Sequence, residues 1–85
     1  MSLDVRASIF RILGDVTGLS GLEAEPDLDL FEAGLLDSLG LVSLILAFDD
    51  ELGLSIAPSD LDKKAWATPR SLVADVERRA RAVAR

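Results

Sequence analysis

The sequence predicts an all-α fold, a small helical bundle built as a single domain over residues 1–85, and three observations carry that reading. Apolar residues recur at helical spacing in three separate stretches. No stretch alternates apolar with polar residues as a half-buried strand does, and no repeat or linker composition divides the chain. At 85 residues there is room for one modest core of packed helices, and too little for a substrate pocket inside an independent catalytic fold.

The first helix is expected from about Leu3 to Val16, where Val5, Ile9, Ile12, Leu13 and Val16 share one side and Arg6, Arg11 and Asp15 lie elsewhere. From Thr17 to Asp37 acids alternate irregularly with single apolar residues, around Pro26 and three of the six glycines. This predicts a long loop, pinned to the core by Leu28, Leu30, Phe31 and Leu35. A second helix should run from Ser38 to about Leu52 and stop at Gly53, a residue that tolerates the left-handed backbone of a helix end. A short third element begins near Pro58 or Ser59, where Ser59 and Asp62 have the spacing of a capping box with the shorter acid. Trp66 is read as the aromatic anchor that holds this element to the bundle. Thr68 is a good N-cap with Pro69 at the first helical position of the last helix. There Leu72, Val76, Ala80 and Val83 form the inner stripe, and Arg78, Arg79, Arg81 and Arg85 fall toward the C-terminus, where positive charge complements the helix dipole.

Composition excludes much chemistry. With no cysteine and no histidine, the chain has no thiolate, no disulfide, no cluster for a transition metal and no usual base to activate a serine. Lys63 and Lys64 lie far along the chain in a polar stretch, so a hidden hydrolase is not expected. No segment approaches the roughly 20 apolar residues that span a bilayer, and no basic start precedes an apolar run, so neither insertion nor export is expected and the chain is read as cytoplasmic and monomeric. The net charge of −6 argues against nucleic acid. Every Lys and Arg lies at or before Arg11 or at or after Lys63, and the acids from Asp15 to Asp62 have no base among them. Such a region is either an ordinary solvated face or one that steers basic protein surfaces toward it.

The second helix is more apolar than one packed face requires. At about 100° per residue Leu41, Leu44, Ile45, Phe48 and Leu52 make a complete core stripe. Leu39, Val42 and Leu46 remain on the other side, next to Ser43 and bordered by Asp49 and Asp50. Either a partner docks there or the long loop or the third element covers them. Ser38 stands at the helix start with Asp37 before it. There the free N–H groups and the dipole favour an anion, so a phosphodiester on the Ser38 hydroxyl would be well accommodated, although a serine in that place also serves as a plain cap.

The run Phe31-Glu32-Ala33-Gly34-Leu35-Leu36-Asp37-Ser38-Leu39 resembles the phosphopantetheine attachment motif of acyl and peptidyl carrier proteins. Within that family the chain is most similar to the D-alanyl carrier proteins of teichoic acid D-alanylation. The similarity runs through Leu30 to Ser38 and again through Asp60-Leu61-Asp62 with Trp66-Ala67-Thr68-Pro69. It is dense from about Asp29 to Pro69. The resemblance implies a four-helix carrier bundle with a long loop between helices 1 and 2 and a short third helix. It implies that Ser38 carries 4′-phosphopantetheine, with Asp37 and Leu39 completing the attachment motif and Asp37 near the magnesium of the modifying enzyme. Leu36, Leu39, Val42, Ser43, Leu46, Asp49 and Asp50 become the partner-binding set; Ser43 and Leu41 depart from the glutamate and threonine common in such carriers. The implied partners are a phosphopantetheinyl transferase, an adenylating acyl or aminoacyl ligase, and a downstream, membrane-embedded acyltransferase. A carrier of this kind is not an enzyme. Two other roles fit the same residues: a stand-alone carrier of a polyketide or nonribosomal peptide pathway, and an unmodified helical adaptor in which Ser38 only caps the helix.

Overall fold

The structure, a computed structural model, describes residues 5–83, the side chains of Asp60 and Val83 excepted. The expected start at Leu3, the inward side chain of Val83, the Asp60 side chain and Arg85 lie outside the described residues. Among the described residues there are three α-helices: α1 (Val5–Thr17), α2 (Ser38–Leu52) and α3 (Pro69–Val83). No strand occurs among the described residues.

In α1 the side chains of Ile9, Ile12 and Leu13 are buried, with Val5 and Val16 half-buried at the two ends of the same stripe. This face packs against both α2 and α3. Leu41, Leu44, Ile45 and Phe48 of α2 meet it as expected, and Leu52 packs at the margin. The end of α2 follows from Gly53, whose φ of 68° lets its N–H reach the Asp49 carbonyl at 3.0 Å while the Leu54 N–H reaches that of Phe48 at 3.4 Å. Leu54 is thereby turned into the core. At the start of α3, Thr68 and Ser71 cap one another: the Ser71 N–H donates to Thr68 Oγ1 at 3.2 Å and the Thr68 N–H to Ser71 Oγ at 3.3 Å. Leu72, Val73 and Val76 are buried along α3, and Ala80 packs against the core edge.

Of the four helices expected, the short third one takes another form. Two 3-10 segments, Pro58–Asp60 and Lys63–Trp66, occupy its place. The expected capping box is absent: Ala57 precedes the first segment without a side-chain cap, and Asp62 instead opens the second, Oδ1 accepting from the Lys64 N–H at 2.9 Å. Leu61 and Asp62 both have extended backbone between the segments, so the two turns cannot merge into one helix. Trp66 is the anchor expected of it. Its ring is fully buried, meets Phe48 edge-on at 5.4 Å, and its Nε1–H donates to Asp75 Oδ2 at 2.8 Å.

The long loop is ordered by its own hydrogen bonds. Leu30, fully buried, is the knot: its N–H donates to the Ala67 carbonyl at 2.7 Å, and its carbonyl accepts from the Leu35 and Leu36 N–H groups at 2.9 and 3.1 Å. Asp29 Oδ1 accepts from the N–H groups of Phe31 and Glu32, closing the turn that follows, and Arg70 bonds Asp27 from α3 at 2.9 Å. Leu22, in a 3-10 turn over Leu22–Ala24, is a further buried anchor.

Candidate functional site

The loop delivers its last residues to the start of α2 in a fixed order. Leu36 is only 4% exposed, held by the Leu30 carbonyl at its N–H and by the core at its side chain. That corrects its expected place in the partner-binding set: it is a core residue, turned inward by the same knot that orders the loop. Asp37 then adopts extended backbone and is the N-cap, its Oδ1 accepting from the Gly40 N–H at 2.8 Å while its carbonyl accepts from the Leu41 N–H at 2.9 Å.

Ser38 is therefore the first helical residue and not the cap, which removes the role the adaptor reading gave it. It is exposed, and its hydroxyl has no hydrogen-bond partner among the described residues. The N–H groups of Ser38 and Leu39 are likewise without an acceptor there. An exposed hydroxyl beside free N–H groups at the positive end of a helix dipole fits a phosphodiester. Gly40 is closely approached, since a Cβ there would stand 3.1 Å from Leu36 Cδ2, whose side chain would have to give slightly, and in ordinary contact, 3.5 Å, with Asp37 Oδ1. The same position lies 3.7 Å from Val16 Cγ1, so the start of α2 sits against the C-terminal end of α1.

Beyond Ser38 the second stripe of α2 is open. Leu39 is 78% exposed, Leu46 63% and Val42 43%; neither the loop nor the segments after α2 cover them. Ser43, Asp49 and Asp50 are exposed beside them. The three consecutive acids at the end of α2 do not act alike. Glu51 is paired with Arg11 of α1, and the hydrogen bond pushes the guanidinium further above its ordinary value, whereas the Asp49 and Asp50 carboxylates have no partner among the described residues. This pairing, joining residues far apart in sequence, had no signal in the sequence beyond the two charges. The described residues thus bring together an unpartnered hydroxyl, a phosphate-compatible helix start, three exposed aliphatic side chains and two free carboxylates along one helix.

Comparison with known proteins gives this geometry a context. The family described as Phosphopantetheine attachment site matches residues 7–76. The chain is similar to the D-alanyl carrier protein of Enterococcus faecalis, 36% identical over 75 residues that cover 88% of this chain and 96% of that protein. It is also similar to the D-alanyl carrier protein of Lacticaseibacillus rhamnosus, 40% identical over 86% of this chain and 90% of the relative. A third, the D-alanyl carrier protein of Bacillus licheniformis, is 32% identical over 84% of this chain and 91% of its own length.

Proposed function

We propose residue-level roles from one premise: the chain belongs to the phosphopantetheine attachment family, and is a non-catalytic carrier protein with covalently attached 4′-phosphopantetheine. We infer that Ser38 is the attachment residue and that the cargo is a D-alanyl or similar aminoacyl group, the group named in the relatives. The observation that carries the Ser38 assignment is the division of labour at the start of α2, where Asp37 caps the helix and leaves the Ser38 hydroxyl with no structural task. When bound, the group supplies a thiol on a flexible arm, which holds the acyl cargo as a thioester.

Every other contribution comes from the chain. Ser38 Oγ would form the new bond to the pantetheine-side phosphorus of the coenzyme A diphosphate as the P–O bond to the nucleotide breaks, 3′,5′-ADP would leave, and the hydroxyl proton would pass to a base of the transferase, this chain having no histidine. Asp37 fixes the first turn through Oδ1; its Oδ2 has no partner among the described residues and is left to face the transferase's magnesium. The N–H groups of Ser38 and Leu39 stabilise the phosphodiester. Leu39, Val42, Ser43 and Leu46 form the docking face, and Asp49 and Asp50 supply the charge that attracts basic partners. An adenylating aminoacyl ligase loads the chain and a membrane-embedded acyltransferase unloads it, with the carrier on the cytoplasmic side, where coenzyme A is the donor. No helix among the described residues is long and apolar enough to cross a membrane. In this reading the two 3-10 segments stand in for the short third helix of a four-helix carrier bundle.

The test is intact mass before and after incubation with coenzyme A, magnesium and a broad-specificity phosphopantetheinyl transferase. The chain should gain one phosphopantetheine unit and Ser38→Ala none. A gain that survives Ser38→Ala would move the attachment elsewhere, and no gain in a folded sample would sink the assignment.

A further inference from the structure

Among the described residues four large apolar side chains are exposed, and one of them lies off α2: Leu19, just beyond the end of α1, is 44% exposed, as open as Val42. A lone exposed leucine is ordinary. This one edges a cleft of about 520 Å³ whose other walls are Arg11, Gly14, Asp15, Gly18 and Ser20. The chain reaches that place by folding back on the helix it has just left. The Gly18 N–H donates to the Gly14 carbonyl at 2.8 Å and the Leu19 N–H to Thr17 Oγ1 at 3.3 Å. The Leu19 carbonyl then passes so near Gly14 that a Cβ there would stand 2.8 Å from its oxygen, so any side chain at position 14 would push Leu19 from its place.

The electrostatics of this end are unbalanced. A helix C-terminus carries partial negative charge and is stabilised by a base in its last turn. The last turn of α1 has none. It holds Asp15 instead, whose side chain is 75% exposed and whose charge opposes the dipole. The cation that lines the cleft, Arg11, is engaged by Glu51 of α2 and comes only to 3.8 Å from Asp15. The carbonyls of Asp15, Val16 and Thr17 accept no hydrogen bond among the described residues. An exposed leucine beside an acid at the wrong end of a helix breaks two local rules at once, and such departures concentrate at functional sites. An apolar wall next to an electronegative floor suits the side chain of arginine, whose methylenes cover Leu19 while the guanidinium meets Asp15 and the open carbonyls.

The place of the cleft in the fold says which partner brings that arginine. The start of α2 sits against Val16, the neighbour of Asp15, with 3.7 Å between a Cβ placed on Gly40 and Val16 Cγ1. An enzyme that acts on the thiol works at the far tip of the arm, whereas the transferase must bring its own active site to the Ser38 hydroxyl and so closes over this end of the bundle. Resting on the reading of Ser38 as the attachment residue, we propose that the cleft at the end of α1 is a docking site for an arginine of the phosphopantetheinyl transferase, with Leu19 and Asp15 as its recognition residues. Leu39, Val42 and Leu46 lie along a single helix, and contacts to them alone leave the carrier free to roll about the α2 axis. A contact at the end of α1 stops that roll and holds the hydroxyl toward the phosphorus.

The experiment measures kcat/KM for the chain as substrate of the broad-specificity transferase with coenzyme A and magnesium, followed by intact mass, with the thermal midpoint read on the same samples. Asp15→Asn and Leu19→Ser should each lower kcat/KM about fivefold while leaving the midpoint unchanged or, for Asp15→Asn, slightly raised. Glu23→Gln removes the same charge from another exposed site and should change kcat/KM by less than about 1.5-fold. An equal loss in Glu23→Gln would reduce the effect to net charge and overturn the site. Because the chain has no cysteine, Ser20→Cys carries a photo-crosslinker at one place, and it should join a transferase segment that bears an arginine. Replacing that arginine by alanine should lower kcat/KM about fivefold for the natural chain but less than about twofold for Asp15→Asn, since the two changes remove one contact. Losses that multiply, or a cross-link to a segment without arginine, would overturn the proposal. If the natural chain takes up no phosphopantetheine, the attachment at Ser38 falls and the proposal with it; modification that is indifferent to Asp15 and Leu19 removes this site alone.

Discussion

Asp37 and Ser38 are adjacent, polar and both at a helix start, yet they carry opposite burdens. One carboxylate oxygen holds a backbone N–H at 2.8 Å, while the hydroxyl holds nothing among the described residues. Asp37→Ala should therefore cost about 1 kcal/mol of folding free energy in urea titrations, as a lost cap does, and Ser38→Ala should stay within about 0.5 kcal/mol of the natural chain. Asp75 makes a second prediction at this scale. Burial by itself would raise its carboxyl, but hydrogen bonds from Arg79, Trp66 and Arg78 outweigh that and hold it below the ordinary value of 3.8. A carboxyl depressed in the folded state stabilises the fold fully above its unfolded value, and that contribution is lost as pH falls through the lower, folded one. Trp66 fluorescence should accordingly report an intact fold down to about pH 4 and an acid transition below it. In Asp75→Asn the stability should be lower at neutral pH and flatter in acid; an unchanged acid slope would remove Asp75 from the account.

At the scale of the element, α2 is a helix with two apolar faces and only one of them packed. Phe48→Ala should cost about 3–5 kcal/mol by opening the core, whereas Leu46→Ala or Val42→Ala should change stability by less than about 0.5 kcal/mol and slow loading by the partner ligase. If Leu46→Ala lowers stability like a core mutation, the exposed stripe has been misread. Both faces were legible in the sequence because helical spacing alone separates Leu41, Leu44, Ile45 and Phe48 from Leu39, Val42 and Leu46. The helix ends at Ser38, Gly53 and Pro69 were legible too, each marked by local chemistry. What local chemistry could not decide was Leu36, an apolar residue with no helical neighbours to assign it a face. Its burial follows from Leu30, six positions earlier, accepting its N–H. The third element was placed correctly but given the wrong kind of turn. Ser59 and Asp62 satisfy the spacing of a cap, and only the extended backbone at Leu61 shows that they belong to different segments.

Across the whole molecule, charge and connectivity have different visibility. The acidic middle and basic ends are plain in the sequence, but the ties that cross it are not: Leu30 to Ala67, Asp27 to Arg70 and Arg11 to Glu51 each join residues that no pattern links. The two ion pairs among them are exposed at the surface, so salt should do little to the melting temperature. It should do much to partner encounter. Loading by the ligase should slow as ionic strength rises from about 0.01 to about 1 M, which shortens the screening length from about 30 to about 3 Å. A constant rate would mean that Leu39, Val42 and Leu46 dominate docking and the acids do not steer. The free hydroxyl of Ser38 has one more consequence, for how the molecule signals. If the arm is attached there as proposed, no contact within the bundle depends on the oxygen that bears it, so the empty, armed and loaded forms should present the same folded surface. A partner that must tell them apart has to inspect the appendage itself, and the bundle serves as an address that reads the same whatever is being delivered.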